Sequence, residues 1–123
     1  MSKKILIVED DNFLQGLASR KLQAEGYTIL ASQDAQGTFK ILETAIPDLI
    51  LLDLLLPGDI DGYGILKKVR ETEKTKDLPV IVFSNLSDEK DIKKAKDLGI
   101  NEFMVKANFT LDELTKKVKG LLG

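Results

Sequence analysis

Four short apolar runs each end in residues that can do chemistry. Ile5-Leu6-Ile7-Val8 runs into Glu9-Asp10-Asp11, and Leu49-Ile50-Leu51-Leu52 into Asp53. Val80-Ile81-Val82-Phe83 runs into Ser84, and Phe103-Met104-Val105 into Lys106. Clustered carboxylates repel, which raises their pKa values unless a cation neutralises them. An all-oxygen set without imidazole or thiolate suits Mg²⁺ or Mn²⁺. An ammonium facing such acids can hold the oxygens of a transferred phosphoryl group. A carboxylate is itself a competent nucleophile and forms an acyl phosphate. Each residue also has a plainer use. An acid after a strand caps the next helix or stays in solvent, a lone Lys is a solvated ion-pair partner, and a Ser is a cap or turn residue. Ser84 gains weight only from standing beside the other groups.

The residues that are missing narrow the chemistry further. The chain has 123 residues and no Cys, His or Trp. Serine-histidine triads, zincins, thiolate zinc sites and histidine kinases are therefore excluded. The net charge is −2, but residues 1–62 hold five of the 18 basic groups and ten of the 20 acidic ones. The acidic bias falls where the carboxylates cluster. No run approaches the ~20 apolar residues of a membrane span. Met1-Ser2-Lys3-Lys4 leads into only four apolar residues before Glu9, too few for a signal peptide. A cytoplasmic protein that avoids membranes is expected, and the slight acidity argues against non-specific nucleic-acid binding.

The elements that must position these groups alternate in type. The four runs, β-branched or leucine-rich, read as buried parallel strands, and Tyr27 to Ala31 reads as another. From about Asn12 to Glu25, Leu14, Leu17, Ala18 and Leu22 recur at helical spacing, and Gly26 supplies a stop. Asp34 can cap a helix with Ala35, Phe39, Leu42 and Ile46 inward, closed by Pro47. Leu54 to Gly62 is turn-like, and Ile65, Leu66 and Val69 mark a third helix. Ser87 can cap a fourth, with Ile92, Ala95 and Leu98 inward and Gly99 at its end. Thr110 and Glu113 form a capping box ahead of Leu111, Leu114, Val118 and Leu121. This is a βα unit repeated five times. Right-handed crossovers place helices on both faces. The expected fold is α/β, one doubly wound five-stranded parallel sheet of flavodoxin-like strand order 2-1-3-4-5. Ligands of such sheets bind beyond the carboxyl ends of the strands where strand order reverses, here between the first and third strands.

With those positions in place, the sequence resembles a bacterial response-regulator receiver domain over essentially its whole length. The matching motifs are ILIVEDD (5–11), PDLILLDLLLPG (47–58), DGYGILKKVR (61–70), LPVIVFSN (78–85) and GINEFMVKA (99–107). The resemblance implies that residues 1–123 form one stand-alone receiver with no output domain. It implies that Asp53 is the phospho-acceptor, and that Asp10, Glu9, Asp53 and the backbone carbonyl of Leu55 hold Mg²⁺ or Mn²⁺. Ser84 would bond the phosphoryl group, Lys106 would neutralise it, and Phe103 would be the aromatic switch. Asp11 is left as a helix cap or outer acid. With no His on this chain, the donor would be a sensor histidine kinase or histidine phosphotransfer protein. The protein would not be an enzyme toward others, though it would catalyse its own phosphorylation and slow dephosphorylation. Its output would be a changed face of the fourth helix, fifth strand and fifth helix, docking a partner protein or a second copy. The lysines of that face (Lys90, Lys93, Lys94 and Lys96; Lys116, Lys117 and Lys119) can equally be a solvated surface.

Three departures from the family stand out. Ala107 follows the lysine where the family has a cis proline. A cis bond costs ~3–4 kcal/mol without proline, against ~0.5–1 with it; because the lysine's placement depends on that turn, a cis Lys106–Ala107 bond is expected. Asn85 replaces a small residue, and Gly58-Asp59-Ile60-Asp61-Gly62 is one residue longer than common. The resemblance implies that Leu55 and Leu86, two past Asp53 and Ser84, flank the path of attacking water; neither can orient it, so slow loss of the phosphoryl group is expected. An alternative reading is a receiver-like binding module that works without phosphorylation. Flavodoxins, haloacid-dehalogenase-type phosphatases and GTPases fit poorly, since their phosphate loop, Asp-x-Asp and Gly-x4-Gly-Lys-Ser/Thr motifs are absent.

Overall fold

The computed structural model describes residues 2–122; Met1 and Gly123, the ends of the expected 1–123 domain, lie outside the described residues. Among the described residues five strands alternate with five α-helices. In chain order they are β1 (Lys4–Val8), α1 (Asn12–Ala24), β2 (Thr28–Ser32), α2 (Ala35–Thr44), β3 (Leu49–Leu52), α3 (Gly62–Glu71), β4 (Val80–Ser84), α4 (Glu89–Leu98), β5 (Glu102–Val105) and α5 (Leu111–Leu122). All strand pairs are parallel and the order is β2-β1-β3-β4-β5, as expected.

Successive strand residues point to opposite faces, and this alternation splits the core in two. Ile5, Ile7, Leu49, Leu51, Ile81, Phe83 and Met104 pack under α1 and α5 with Ala18, Leu22, Leu114 and Val118. Leu6, Val8, Ile50, Leu52, Val80 and Val82 pack under α2, α3 and α4 with Ala35, Ile65, Leu66, Val69 and Ala95. Each fully buried Leu or Ile contributes roughly 1.5–3 kcal/mol. Both faces are apolar because both are covered, which is why the strands read as unbroken hydrophobic runs.

The helix ends follow local chemistry. Asp11 caps α1 by accepting the N–H groups of Phe13 and Leu14, Asp34 caps α2 through Gly37, and Asp61 caps α3 through Gly64. The Thr110–Glu113 box forms reciprocally. Three sequence expectations need correction. The cap of α4 is Asp88, not Ser87, and its side chain makes no cap hydrogen bond. Asp88 has the extended backbone of a cap and Glu89 and Asp91 in the first turn complement the helix dipole instead. Ile46 lies beyond the end of α2 and is exposed. Leu121 is exposed too, while its neighbour Leu122 packs on the core, since the apolar stripe of α5 turns past Leu121.

Candidate functional site

Glu9, Asp53 and Lys106 each stand one residue past a strand, and all three continue the alternation that faces α1 and α5. Glu9 follows Ile5 and Ile7, Asp53 follows Leu49 and Leu51, and Lys106 follows Met104. The strand register therefore brings them together. Lys106 Nζ lies 2.6 Å from Glu9 Oε1 and 2.8 Å from Asp53 Oδ2. Both carboxylates are buried, and the lysine side chain is only 14% exposed. Backbone donors complete the set: Asp53 Oδ1 accepts the Leu55 N–H at 3.1 Å and Glu9 Oε2 the Asp11 N–H at 3.1 Å.

The electrostatics are those of an acid pair sharing one ammonium. Burial pushes the Glu9 carboxyl above its ordinary 4.5, and the nearby Asp53 charge adds to that; the bonds from Lys106 and Asp11 oppose it without cancelling it. Burial pulls the Lys106 ammonium down, but hydrogen bonds and charge from Asp53 and Glu9 outweigh it and leave it above 10.5. Asp10 is exposed. Even so, Glu9, Asp10 and Asp53 each offer a carboxylate oxygen, all within 4.8 Å of one another. One ammonium for three carboxylates leaves a deficit of positive charge, and the oxygen-only donor set fits a hard divalent cation.

The chain folds tightly beneath this cluster. Gly62 N–H donates to Leu54 O at 3.0 Å, bringing the start of α3 against the loop after Asp53. A Cβ at Gly62 would overlap the Asp53 carbonyl and the Leu54 Cα, so no other residue fits without moving that loop.

Ser84 and Phe103 belong to the opposite alternation. Ser84 follows Val80 and Val82, is fully buried, and its Oγ lies 3.5 Å from the Leu86 N–H. Phe103 is half-buried and packs with Leu86 on the core under α3 and α4. Leu55 lies at the mouth, 51% exposed.

With this geometry established, comparison with known proteins is direct. Residues 5–119 match the family described as response regulator receiver domain. The chain belongs to that family. A transcriptional regulatory protein KdpE from Staphylococcus aureus is 38% identical over 120 residues, covering 97% of this chain and 49% of that one. The receiver thus spans about half the length of the curated relatives it matches. The signal receiver domain of a signal transduction histidine kinase from Syntrophus aciditrophicus superposes with a TM-score of 0.89 at 29% identity, covering 98% of this receiver and 90% of that chain. A Mn²⁺-bound form of the response regulator Rcp1 superposes with a TM-score of 0.82 at 28% identity, covering 97% and 91%.

Two features of this receiver depart from the sequence reading. Among the described residues there is no cis peptide, so the Lys106–Ala107 bond is trans. A 3-10 turn at Lys106–Asn108 redirects the chain instead, and the lysine reaches the pocket without the ~3–4 kcal/mol cost of a cis non-proline bond. The second is Gln15, absent from the expected site. Its side-chain amide donates to Glu9 O at 3.0 Å and Ser32 O at 2.9 Å. The signal was present: Gln15 falls three and seven residues before the buried Ala18 and Leu22, on the inward stripe of α1. Among the described residues no helix is long and apolar enough to cross a membrane.

Proposed function

We propose that this receiver is a phosphorylation-driven signalling switch of a two-component relay, acting in the cytoplasm. The observation that carries the reading is Lys106 bridging buried Glu9 and Asp53, with Asp10 beside them, where strand order reverses. Asp53 attacks the phosphorus of a donor phosphohistidine. A P–O bond forms, the P–N bond breaks, and the imidazole leaves with a proton. The donor imidazole comes from a sensor histidine kinase or phosphotransfer protein, because this chain has no His.

Phosphoryl transfer depends on positioning and charge neutralisation more than on covalent assistance. The Leu55 N–H and the Lys106 ammonium orient the two Asp53 oxygens. Glu9, Asp10, Asp53 and the Leu55 carbonyl would hold Mg²⁺ or Mn²⁺. That ion supplies the charge that lets three carboxylates and the incoming phosphoryl oxygens coexist. Ser84 then bonds a phosphoryl oxygen, drawing its loop inward, and Phe103 fills the space released. The face of α4, β5 and α5 changes and docks a partner protein or a second copy. Such a switch needs only a gap of a few kcal/mol between states. The protein acts catalytically only on itself, and water reaches the acyl phosphate slowly because Leu55 and Leu86 are apolar.

The test is incubation with a small phosphodonor and Mg²⁺, read by intact mass. The wild type should gain one phosphoryl group, held for much longer than in relatives with polar residues at these two positions. Asp53→Asn should gain none. Absence of any gain with acetyl phosphate, phosphoramidate or a phosphohistidine protein would favour a module that works without phosphorylation.

A further inference from the structure

We propose that Gln15 is a positioning residue for the cation site, aiming Asp10 by fixing the plane of the Glu9–Asp10 peptide. The proposal rests on the metal-holding role proposed above for Glu9, Asp10 and Asp53. Asp10 is the exposed member of the three. Buried Glu9 and Asp53 are held by Lys106 and by backbone N–H groups. The direction of Asp10 depends on its own backbone, and the Glu9 carbonyl lies in the same peptide plane as the Asp10 N–H.

Both peptides that meet at Glu9 are held, the Glu9–Asp10 plane through its carbonyl and the preceding one through the Glu9 N–H. The Glu9 N–H donates to Ser32 O at 3.0 Å, extending the β1–β2 ladder by one bond. The Gln15 amide then bridges Glu9 O and the same Ser32 O. Two carbonyl oxygens can accept only, so the amide nitrogen must face them and the side chain has a single useful orientation. Gln15 therefore ties α1 to the ends of two strands at the point where the acids emerge. A cavity of about 10 Å³ lies among Gln15, Glu9, Asp53, Leu14, Ala18 and Phe83, room for about one water. A shorter residue would enlarge it and admit solvent behind the acids, so the informative substitutions keep the volume.

Gln15→Met removes the donor and retains the length. Gln15→Glu retains the shape and turns an oxygen toward the two carbonyls. Outer-shell partners of metal ligands typically contribute 10–100-fold in affinity. Both variants should weaken Mg²⁺ binding about tenfold by titration calorimetry at fixed ionic strength. Phosphorylation from acetyl phosphate should need correspondingly more Mg²⁺ and reach the wild-type maximal rate at saturation. Urea denaturation of each variant in EDTA shows whether it is folded. Wild-type Mg²⁺ affinity in both variants, with Asp10→Asn weakened, overturns the proposal while leaving the metal site intact. Lowered stability with unchanged Mg²⁺ affinity also overturns it, making Gln15 a structural tie only. If Asp10→Asn and Asp53→Asn also bind Mg²⁺ as the wild type does, the metal-holding role itself fails and this proposal fails with it.

Discussion

The two faces of the sheet end differently at the rim. Under α1 and α5 the strands finish in Glu9, Asp53 and Lys106, a charged and mostly buried set. Under α2, α3 and α4 the groups near the rim around β4 and β5 are neutral: Ser84, which ends β4 with a buried hydroxyl, and Phe103 of β5 and Leu86, both packed on the core. One step along a strand separates the two. The alternation of strand side chains separates the two: in the proposed switch the charged face would bind and transfer, and the neutral face would respond, because moving it breaks no buried ion pair. Buried charge is costly when unpaired, so the charged face should be rigid and intolerant and the neutral face adjustable.

Lys106→Met is the hardest blow to this contrast. Removing one partner of a buried pair typically costs 3–5 kcal/mol, and here two acids lose their ammonium. Urea unfolding in EDTA should show a loss of about 3 kcal/mol, part of it restored by millimolar Mg²⁺. Ser84→Ala attacks the other face. Phosphoryl uptake should stay within a few-fold of wild type, while the phosphorylation-induced change in amide exchange over α4 and β5 disappears. Uptake lost along with the response would merge the two faces into one.

Glu9→Gln offers a finer test. The folded-state pKa of Glu9 is raised, so folding favours its protonated form. That contribution is complete below the ordinary value of 4.5 and is lost as pH climbs through the folded-state value. In metal-free solution the wild type should therefore lose stability relative to Glu9→Gln as pH rises from 4 toward 7. Parallel urea midpoints for the two across that window would contradict the burial argument. Lys93→Ala sets the lower limit. Its pair with Asp97 is an exposed i,i+4 contact, and the change should stay within about 0.5 kcal/mol and shrink with added salt.

Much of this division was legible in the sequence. Unbroken apolar strands, Gly26, Asp34 and the Thr110–Glu113 box announced the elements, because each has a local cause in backbone geometry or capping. Glu9, Asp53, Ser84 and Lys106 could be placed on one rim because a strand end in a parallel sheet is a fixed address. Reading alternate positions would also have told the charged set from Ser84 and Phe103. The misses have tertiary causes. Gln15 resembles any polar helix residue until the two carbonyls it faces are known. The turn at Lys106 was expected to need a cis bond, yet the alternation of β5 already directs the lysine and a 3-10 turn at Lys106–Asn108 carries the chain onward with trans peptides. Asp88 prevailed over Ser87 as a cap by a shift of one residue, which no local rule for Ser or Asp decides.

The Lys106–Asp53 bond joins positions 53 apart in sequence, and its consequence is temporal. A ribosome releases Glu9 and Asp53 long before the lysine that neutralises them. Until β5 is made and added at the sheet edge, the nascent chain carries buried-to-be acids with no ammonium of its own. It has every reason to keep them in water. The last strand thus completes the sheet and the pocket in one event. A partly synthesised receiver should neither fold stably nor hold its acids as a neutralised pocket.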